Sequence, residues 1–325
     1  MRVILWLALG LGVLWGGYWF VGARMIEGGV KDWFAQSGTQ GIEATQDGIS
    51  VAGFANRFDL TVTNPQLRDP VTGWGWQAPF AQVFAMTWKP WHVIAALPHT
   101  QTIVTPDQSI DLASSRLQAS LRLKPVADLP LEEVVLAGDD VLLTSTAGWR
   151  VAAKSVVAAM ARQGDNGQRL GLDVAGLTAD PVLTAKLPEF GPVLDLVHLD
   201  ATLTLSAPLD RHMAQTQPRM TGVKLTAFNL TWGKLVITAS GDVVPGADGL
   251  ALGKLAFRFQ NWRSIPALLV EMGLVLPGMG NTITRGLDVM ARSGPDPELL
   301  AIDLVFADGR MMLGPLPLGP APRLN

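Results

Sequence analysis

The chain has no cysteine. That excludes a disulfide frame, a thiolate nucleophile, a lipid-modified cysteine and a cysteine metal site. It says little about redox compartment, because a large core can do without disulfides. Charge is also scarce. Charged residues make up 16% of the chain, against about 25% in a typical soluble domain. The formal net charge is −3 and no basic stripe occurs, so a nucleic-acid partner is not expected. Histidine is limited to His92, His99, His198 and His212, none at metal-ligand spacing from another histidine or a carboxylate cluster. No G-x-S-x-G elbow and no phosphate loop is present. "GWGWQA", Gly73–Ala78, matches a loose dinucleotide fingerprint but has Pro79 directly after it and no helix opening. Glu132-Glu133 and Asp139-Asp140 bracket a short predicted strand and read as a solvated edge. These absences assign no catalytic, metal or cofactor residue, and the expectation is a protein without enzymatic activity.

What is present is apolar. Hydrophobic residues reach 48%, and the mean hydropathy is +0.27. Val3–Ala23 reads "VILWLALGLGVLWGGYWFVGA" without a charge. A helix of that length rises about 30 Å, the thickness of a bilayer core. Trp15, Tyr18, Trp19 and Phe20 near its far end suit an aromatic belt. A cleaved signal peptide ending at Val21-Gly22-Ala23 is the rival, but the run exceeds an ordinary signal core and bulky aromatics crowd the site. We expect an uncleaved anchor over residues 1–23 and a short helical linker over 24–40. Arg2 alone precedes the span while Arg24 and Lys31 follow it, so the positive-inside count does not fix orientation. A short leader before a long apolar run favours export, placing the body in the periplasm of a Gram-negative cell. Ala8, Gly12 and Gly16 form a small-residue stripe, a candidate helix dimerisation face.

From residue 41 to 325 period-two alternation dominates, predicting one β-rich domain. "FNLTWGKLVITAS" sets Phe228, Leu230 and Trp232 on one face, turns at Gly233-Lys234, and resumes with Leu235, Ile237 and Ala239. Asp-Gly pairs at Asp47-Gly48, Asp248-Gly249 and Asp308-Gly309 are hairpin signals. The predicted class is mainly β, a β-rich α+β fold: a long twisted antiparallel meander able to form a groove, with a few short helices. "VAAKSVVAAMA" and "PFAQVFAMTW" are apolar on both faces, and such strands must be covered on both. Helices are predicted near 265–276 and 282–293. Ser264 is the candidate cap of the first; Gly294 and Pro295 stop the second.

Two apolar groups are candidate lipid- or membrane-facing residues. One is the aromatic cluster, with Trp74, Trp76, Phe84, Trp88 and Trp91. The other is Leu268, Leu269, Met272 and Leu274 on the apolar helix. The bland alternative for both is core packing. The closing "LGPLPLGPAP", Leu313–Pro322, predicts an edge strap: Pro315 and Pro317 remove two donors from one side. Leu316 and Leu318 are expected to bury together, with fraying only beyond Pro322.

Three stretches carry a family resemblance: "ISVAGFANRFDLTVTNPQL", "WQAPFAQVFAMTWKPWHVIAALP" and "DGRMMLGPLPLGPAPRL". With the anchor, they resemble the bacterial family known as domain of unknown function 2125 over nearly the whole chain. The resemblance implies a membrane-anchored, β-rich envelope protein and no activity. The layout is also similar, more loosely, to the AsmA-like envelope proteins, with an anchor before a long sheet bearing a hydrophobic groove. The expected function is lipid or hydrophobic-ligand binding, or envelope maintenance, without a cofactor. The alternatives are an adaptor that binds another envelope protein and, third, a hydrolase.

Overall fold

The structure, a computed structural model, describes residues 1–178, 181–271, 276, 278, 280–292, 294, 296–314 and 316–324. The fold is mainly β and antiparallel, with few short helices, after one N-terminal helix long and apolar enough to cross a membrane. That helix, α1, runs unbroken through Arg2–Gln36. The expected linker is therefore its continuation, closed by a 3₁₀ turn at Ser37–Gln40. Where one β-rich body was expected after residue 40, the chain divides into two units: residues 1–125 with 136–149, and 126–135 with 150–325.

In the first unit, eleven strands follow α1. They are β1 (Glu43–Thr45), β2 (Gly48–Ala52), β3 (Arg57–Thr63), β4 (Gln66–Arg68), β5 (Gly75–Gln77) and β6 (Phe80–Met86). Then come β7 (Lys89–Leu97), β8 (Thr100–Val104), β9 (Ser109–Ala113), β10 (Arg116–Leu123) and the long β11 (Leu131–Ser145). β11 begins in the second unit, and its residues from Leu136 onward belong to the first. The meander pairs β2–β3–β6–β7–β10 on one side of a line of breaks. On the other side it pairs β1–β4–β5–β8–β9–β11. Consecutive short strands are halves of one bent strand. Pro65, Pro79 and Pro98 lie at the bends, where a residue without an N–H interrupts the ladder. Bonds from the Asn64 N–H to the Pro79 carbonyl and from the Ala78 N–H to the Pro65 carbonyl stitch the line. Asp47-Gly48 is one of these bends and not the expected hairpin, because β1 pairs with β4 while β2 pairs with β3. Glu132-Glu133 and Asp139-Asp140 lie inside β11 and do not bracket a short strand.

The second unit carries longer, mostly unbroken strands. They are β12 (Arg150–Gln163), β13 (Gly167–Thr178), β14 (Val193–Leu205), β15 (Met220–Trp232), β16 (Leu235–Pro245), β17 (Ala251–Gln260), β18 (Leu299–Ala307), β19 (Arg310–Leu313) and β20 (Leu316–Pro320). They pair in chain order, each antiparallel to the next. Helices α2 (Pro181–Lys186) and α3 (Met213–Thr216) sit in connections; α4 (Ile265–Glu271) and α5 (Gly280–Arg292) separate β17 from β18. The predicted helix over 265–276 is thus observed as Ile265–Glu271, and the next one starts two residues before Thr282. Ser264 does not cap α4. It lies in the 3₁₀ turn Trp262–Ser264, and its hydroxyl donates back to the Asn261 carbonyl. Three of the predicted turns close hairpins: Gly233-Lys234, Asp308-Gly309 and the loop holding Asp248-Gly249. Asp308 and Gly309 both take positive φ, 51° and 70°, as a tight hairpin of this kind requires.

Two packed clusters hold the helices onto the sheet. Leu187, Phe190, Leu194, Trp232 and Leu235 form one, with Ile265 and Leu268 against it. Trp262, Ala291, Leu300 and Ile302 form the other, with Leu287 and Met290 of α5 against it. Trp262 is fully buried, and its indole donates to the Pro297 carbonyl at 3.1 Å. The tail closes a third cluster: Ala321 is buried with Val243, Ala251 and Phe306. Order extends past Pro322, correcting the expected fraying. Ala251 N–H donates to the Pro322 carbonyl, Leu324 N–H to the Gly249 carbonyl, and Arg323 bridges Leu250. Leu318 is 46% exposed, so it does not bury as predicted. Pro315 and the Leu316 side chain lie outside the described residues.

Candidate functional site

In an antiparallel ladder, residues directly opposite one another share a face. The register of β13 to β18 therefore sorts side chains into rows. One row reads Leu172, Leu199, Phe228, Ala239, Phe257 and Ile302. A second, on the same face, reads Val174, Val197, Leu230, Ile237, Phe259 and Leu300. A third reads Leu170, Ala201, Leu225, Gly241, Leu255 and Leu304. None of these positions carries a polar side chain. A bulge in β15 between Leu225 and Phe228 keeps both on this face although they are three apart. The other face is polar: Asp173, His198, Asn229, Thr238 and Arg258 lie in register.

Cover on the apolar face is uneven. Leu300, Ile302, Phe259, Leu230 and Ile237 are held under the packed clusters. Leu170, Leu172, Val174, Leu199, Leu225 and Phe228 are half-buried and belong to none of the buried clusters among the described residues. Six strands at roughly 4.8 Å spacing make the face about 24 Å wide. That exceeds the reach of one leaflet's hydrocarbon, about half of ~30 Å. The polar face carries the ion pairs Arg169–Asp200 at 2.8 Å and Lys254–Asp303 at 3.0 Å, and His198 Nδ1 lies 2.6 Å from Asp173 Oδ1. The Arg169 guanidinium donates to Asp200 and holds its carboxyl below the ordinary aspartate value, and the same bond raises Arg169.

The first unit offers a different surface. Thr45, Gln66, Gln77, Thr102, Asp111 and Thr144 stand opposite one another across six strands. All of these but Thr45 line a cavity of about 600 Å³, with Asp47 and Asn64 at its bend. Asn64 donates to Asp47 at 2.6 Å and Thr102 to Asp111 at 2.9 Å. Hydroxyl, amide and carboxylate groups share this lining with Ala78, Pro79, Leu112, Ala113 and Leu142.

The aromatic cluster divides. Trp74 is exposed before β5, and Trp76 on β5 donates to Gln101 Oε1 at 2.9 Å. Phe84 on β6, Trp88 in the β6–β7 turn and Trp91 on β7 lie at the other end of the bent β5–β6 strand from Trp74, so no single belt forms. Phe84 carries Arg57 over its ring, 5.8 Å from the centroid, and Trp88 is exposed in the β6–β7 turn. Leu268 packs against the first cluster of the second unit, Leu269 is half-buried, and Met272 and Leu274 lie outside the described residues. In the stripe on α1, Ala8 is exposed and Gly12 meets nothing, but a Cβ on Gly16 would lie 3.7 Å from the Phe54 ring. Gly16 thus faces the chain's own sheet.

Catalytic constellations are sparse. Among the described residues no group of three or more histidines and carboxylates is placed to hold a metal ion. His92 Nε2 lies 3.1 Å from Ser120 Oγ, and His99 Nδ1 lies 2.8 Å from the Ser114 carbonyl. Neither histidine has a carboxylate within ion-pair distance among the described residues, so the His92–Ser120 contact lacks the orienting third group of a nucleophile–base pair. His198 and His212 do lie near carboxylates, Asp173 and Asp128, but on solvent-facing pairs.

The sequence reading missed the rows of the second unit because alternation within a strand does not fix which residues of the next strand lie opposite. The β15 bulge is the point at which simple alternation fails. The family described as "Uncharacterized protein conserved in bacteria (DUF2125)" matches residues 19–322, and the chain belongs to it. No curated protein matches the chain.

Proposed function

We propose that this member of the DUF2125 family is a membrane-anchored, non-enzymatic envelope protein whose second unit holds the apolar part of a lipid or similar ligand. The observation that carries this reading is the run of three apolar rows across β13–β18, in which Leu170, Leu172, Val174, Leu199, Leu225 and Phe228 stay half-buried outside the packed clusters among the described residues. An apolar surface of that extent is a binding surface or an aggregation liability unless something occupies it. In this reading α1 is the anchor and the body lies outside the cytoplasm, in the periplasm of a Gram-negative cell. A topology reporter fused after Asn325 tests the orientation; activity only in the cytoplasm would reverse it.

Site-specific photocrosslinking in intact membranes tests the ligand. A photoreactive side chain at Phe228 is expected to yield lipid adducts, while one at Thr238, on the polar face, yields none. Absence of lipid adducts at Phe228, Leu199 and Leu172 alike would sink the proposal. The adaptor reading predicts a discrete protein adduct at one of these positions instead.

A further inference from the structure

The anchor does not stand clear of the folded body. Every residue from Arg2 to Trp15 is exposed, and the helix then meets the sheet. Trp19 and Ala23 are buried with Phe58, and Ile26 and Val51 pack against them. Three aromatic donors of α1 reach backbone carbonyls at the tips of two hairpins. Trp15 Nε1 donates to Ala55 at 2.9 Å, Tyr18 Oη to Thr87 at 2.9 Å, and Trp19 Nε1 to Arg57 at 2.7 Å. A Cβ on Gly22 would lie 2.8 Å from the Phe58 ring, so the close approach there depends on glycine.

Depth follows from length. Val3–Leu14 rises only ~18 Å at about 1.5 Å per residue. A bilayer core is ~30 Å thick. If α1 crosses a membrane, the turns from Trp15 to about Ala23 must complete the crossing. Those are the turns that carry the hairpin tips. The tips therefore share the helix's depth; exposed Asn56 and the Arg57–Asp59 ion pair at the β2–β3 tip suit the headgroup layer, and the apolar side chains beside them suit the acyl boundary. Unpaired carbonyls are costly in lipid, and here the indole and phenol groups of α1 satisfy three of them. Facing outward are Phe54 at 62% exposure, stacked on Phe20 with centroids 5.5 Å apart, Trp88 at 54% and Met86 at 42%. Lys89 follows Trp88 directly, where its ammonium can reach the headgroup layer while its stem stays apolar.

We propose that the tips of the β2–β3 and β6–β7 hairpins are immersed in the boundary between headgroups and acyl chains of the membrane that α1 spans. They dock there as one body with the helix. The partner is the lipid surface, and Phe54, Met86 and Trp88 are the inserted side chains. This rests on α1 crossing a membrane and is independent of what the second unit binds.

The absence of cysteine makes the test direct. Single substitutions Phe54→Cys, Trp88→Cys and, as a control, Val71→Cys are labelled with an environment-sensitive fluorophore in the full-length chain in proteoliposomes. Val71 is 88% exposed in the turn at the opposite end of the bent strands. Labels at 54 and 88 are expected to be quenched by lipids brominated on the acyl chain. They should also be quenched several-fold less than the label at 71 by aqueous iodide. Iodide access at 54 and 88 equal to that at 71, without lipid quenching, overturns the proposal. Should Phe54→Cys fail to fold, the exposed Trp88 position decides the outcome alone.

Discussion

The two units solve the same problem, covering an apolar sheet face, in different ways. In the first, part of the cover comes from α1: Trp19, Ala23 and Ile26 lie over Phe58 and Val51. In the second, the cover comes from the 187–190 turn, α4, α5 and the tail, and it leaves Leu170, Leu172, Val174, Leu199, Leu225 and Phe228 outside the packed clusters among the described residues. Their polar faces differ too. The second unit carries paired opposite charges, whereas the first carries threonine, glutamine and asparagine over a cavity. Prolines lie at three of the five bends in the first unit's strands, while β12–β18 run through ten or more residues in most cases. A helix long and apolar enough to cross a membrane serves as core material in the first unit. Internal elements leave part of the second unit's apolar face half-buried outside the packed clusters among the described residues.

The largest expected effect separates the units. Trp262→Ala empties the centre of the packed cluster beneath α5 and should cost about 3–5 kcal/mol. Thermal melting followed by hydrogen exchange should show protection lost in β16–β18 and α5, with β2, β3 and β6 unchanged. Equal loss in both units would mean that they unfold as one. Cutting the chain after Leu313 removes β20 and the buried Ala321 and should lower the melting temperature by several degrees; an unchanged value would mean the strap is dispensable.

On the first unit's side, Trp19→Phe leaves the Arg57 carbonyl without its indole donor at a buried contact. The expected cost is about 1–3 kcal/mol, read as faster exchange at residues 55–58. A Gly22→Val variant should loosen the same contact by overpacking against Phe58, again by about 1–3 kcal/mol. No change in exchange with either variant would show that α1 and the sheet are only adjacent. The smallest effect belongs to the polar face. Asp200 has a lowered carboxyl, so its contribution is present above the unfolded value and lost as pH falls through the folded one. Asp200→Asn should therefore lower melting slightly at neutral pH, and the difference from the unaltered chain should vanish as pH falls through the folded value. Such exposed pairs contribute little, and a large loss at neutral pH would contradict this.

Local sequence was enough for several elements. The uncharged stretch Val3–Ala23 specified a membrane-length helix, and alternation specified strands such as Phe228–Trp232. Turn chemistry placed Gly233-Lys234 and Asp308-Gly309. It failed at Asp47-Gly48, where the same dipeptide serves a bend because the flanking halves pair with different strands. The aromatic cluster read as one patch because sequence proximity cannot show that Trp74 and Trp88 end up at opposite ends of one bent strand. The tail's leucines were expected to bury, but Ala321 beyond them fills the cluster instead. That choice depends on the space left by Val243, Ala251 and Phe306, which lie far away along the chain.

The sequence by itself determined the ingredients: an uncharged stretch of membrane length, antiparallel strands, no cysteine and a shortage of titratable clusters. Periodicity and composition are local properties and can be read residue by residue. The tertiary structure decided which strands lie opposite one another, and so placed apolar residues from six strands on one face of the second unit. It also decided that Trp15, Tyr18 and Trp19 spend their polar atoms on the sheet's carbonyls and do not remain an unattached aromatic belt. Register and docking are set by non-local pairing, in which a shift of one residue turns every side chain to the other face.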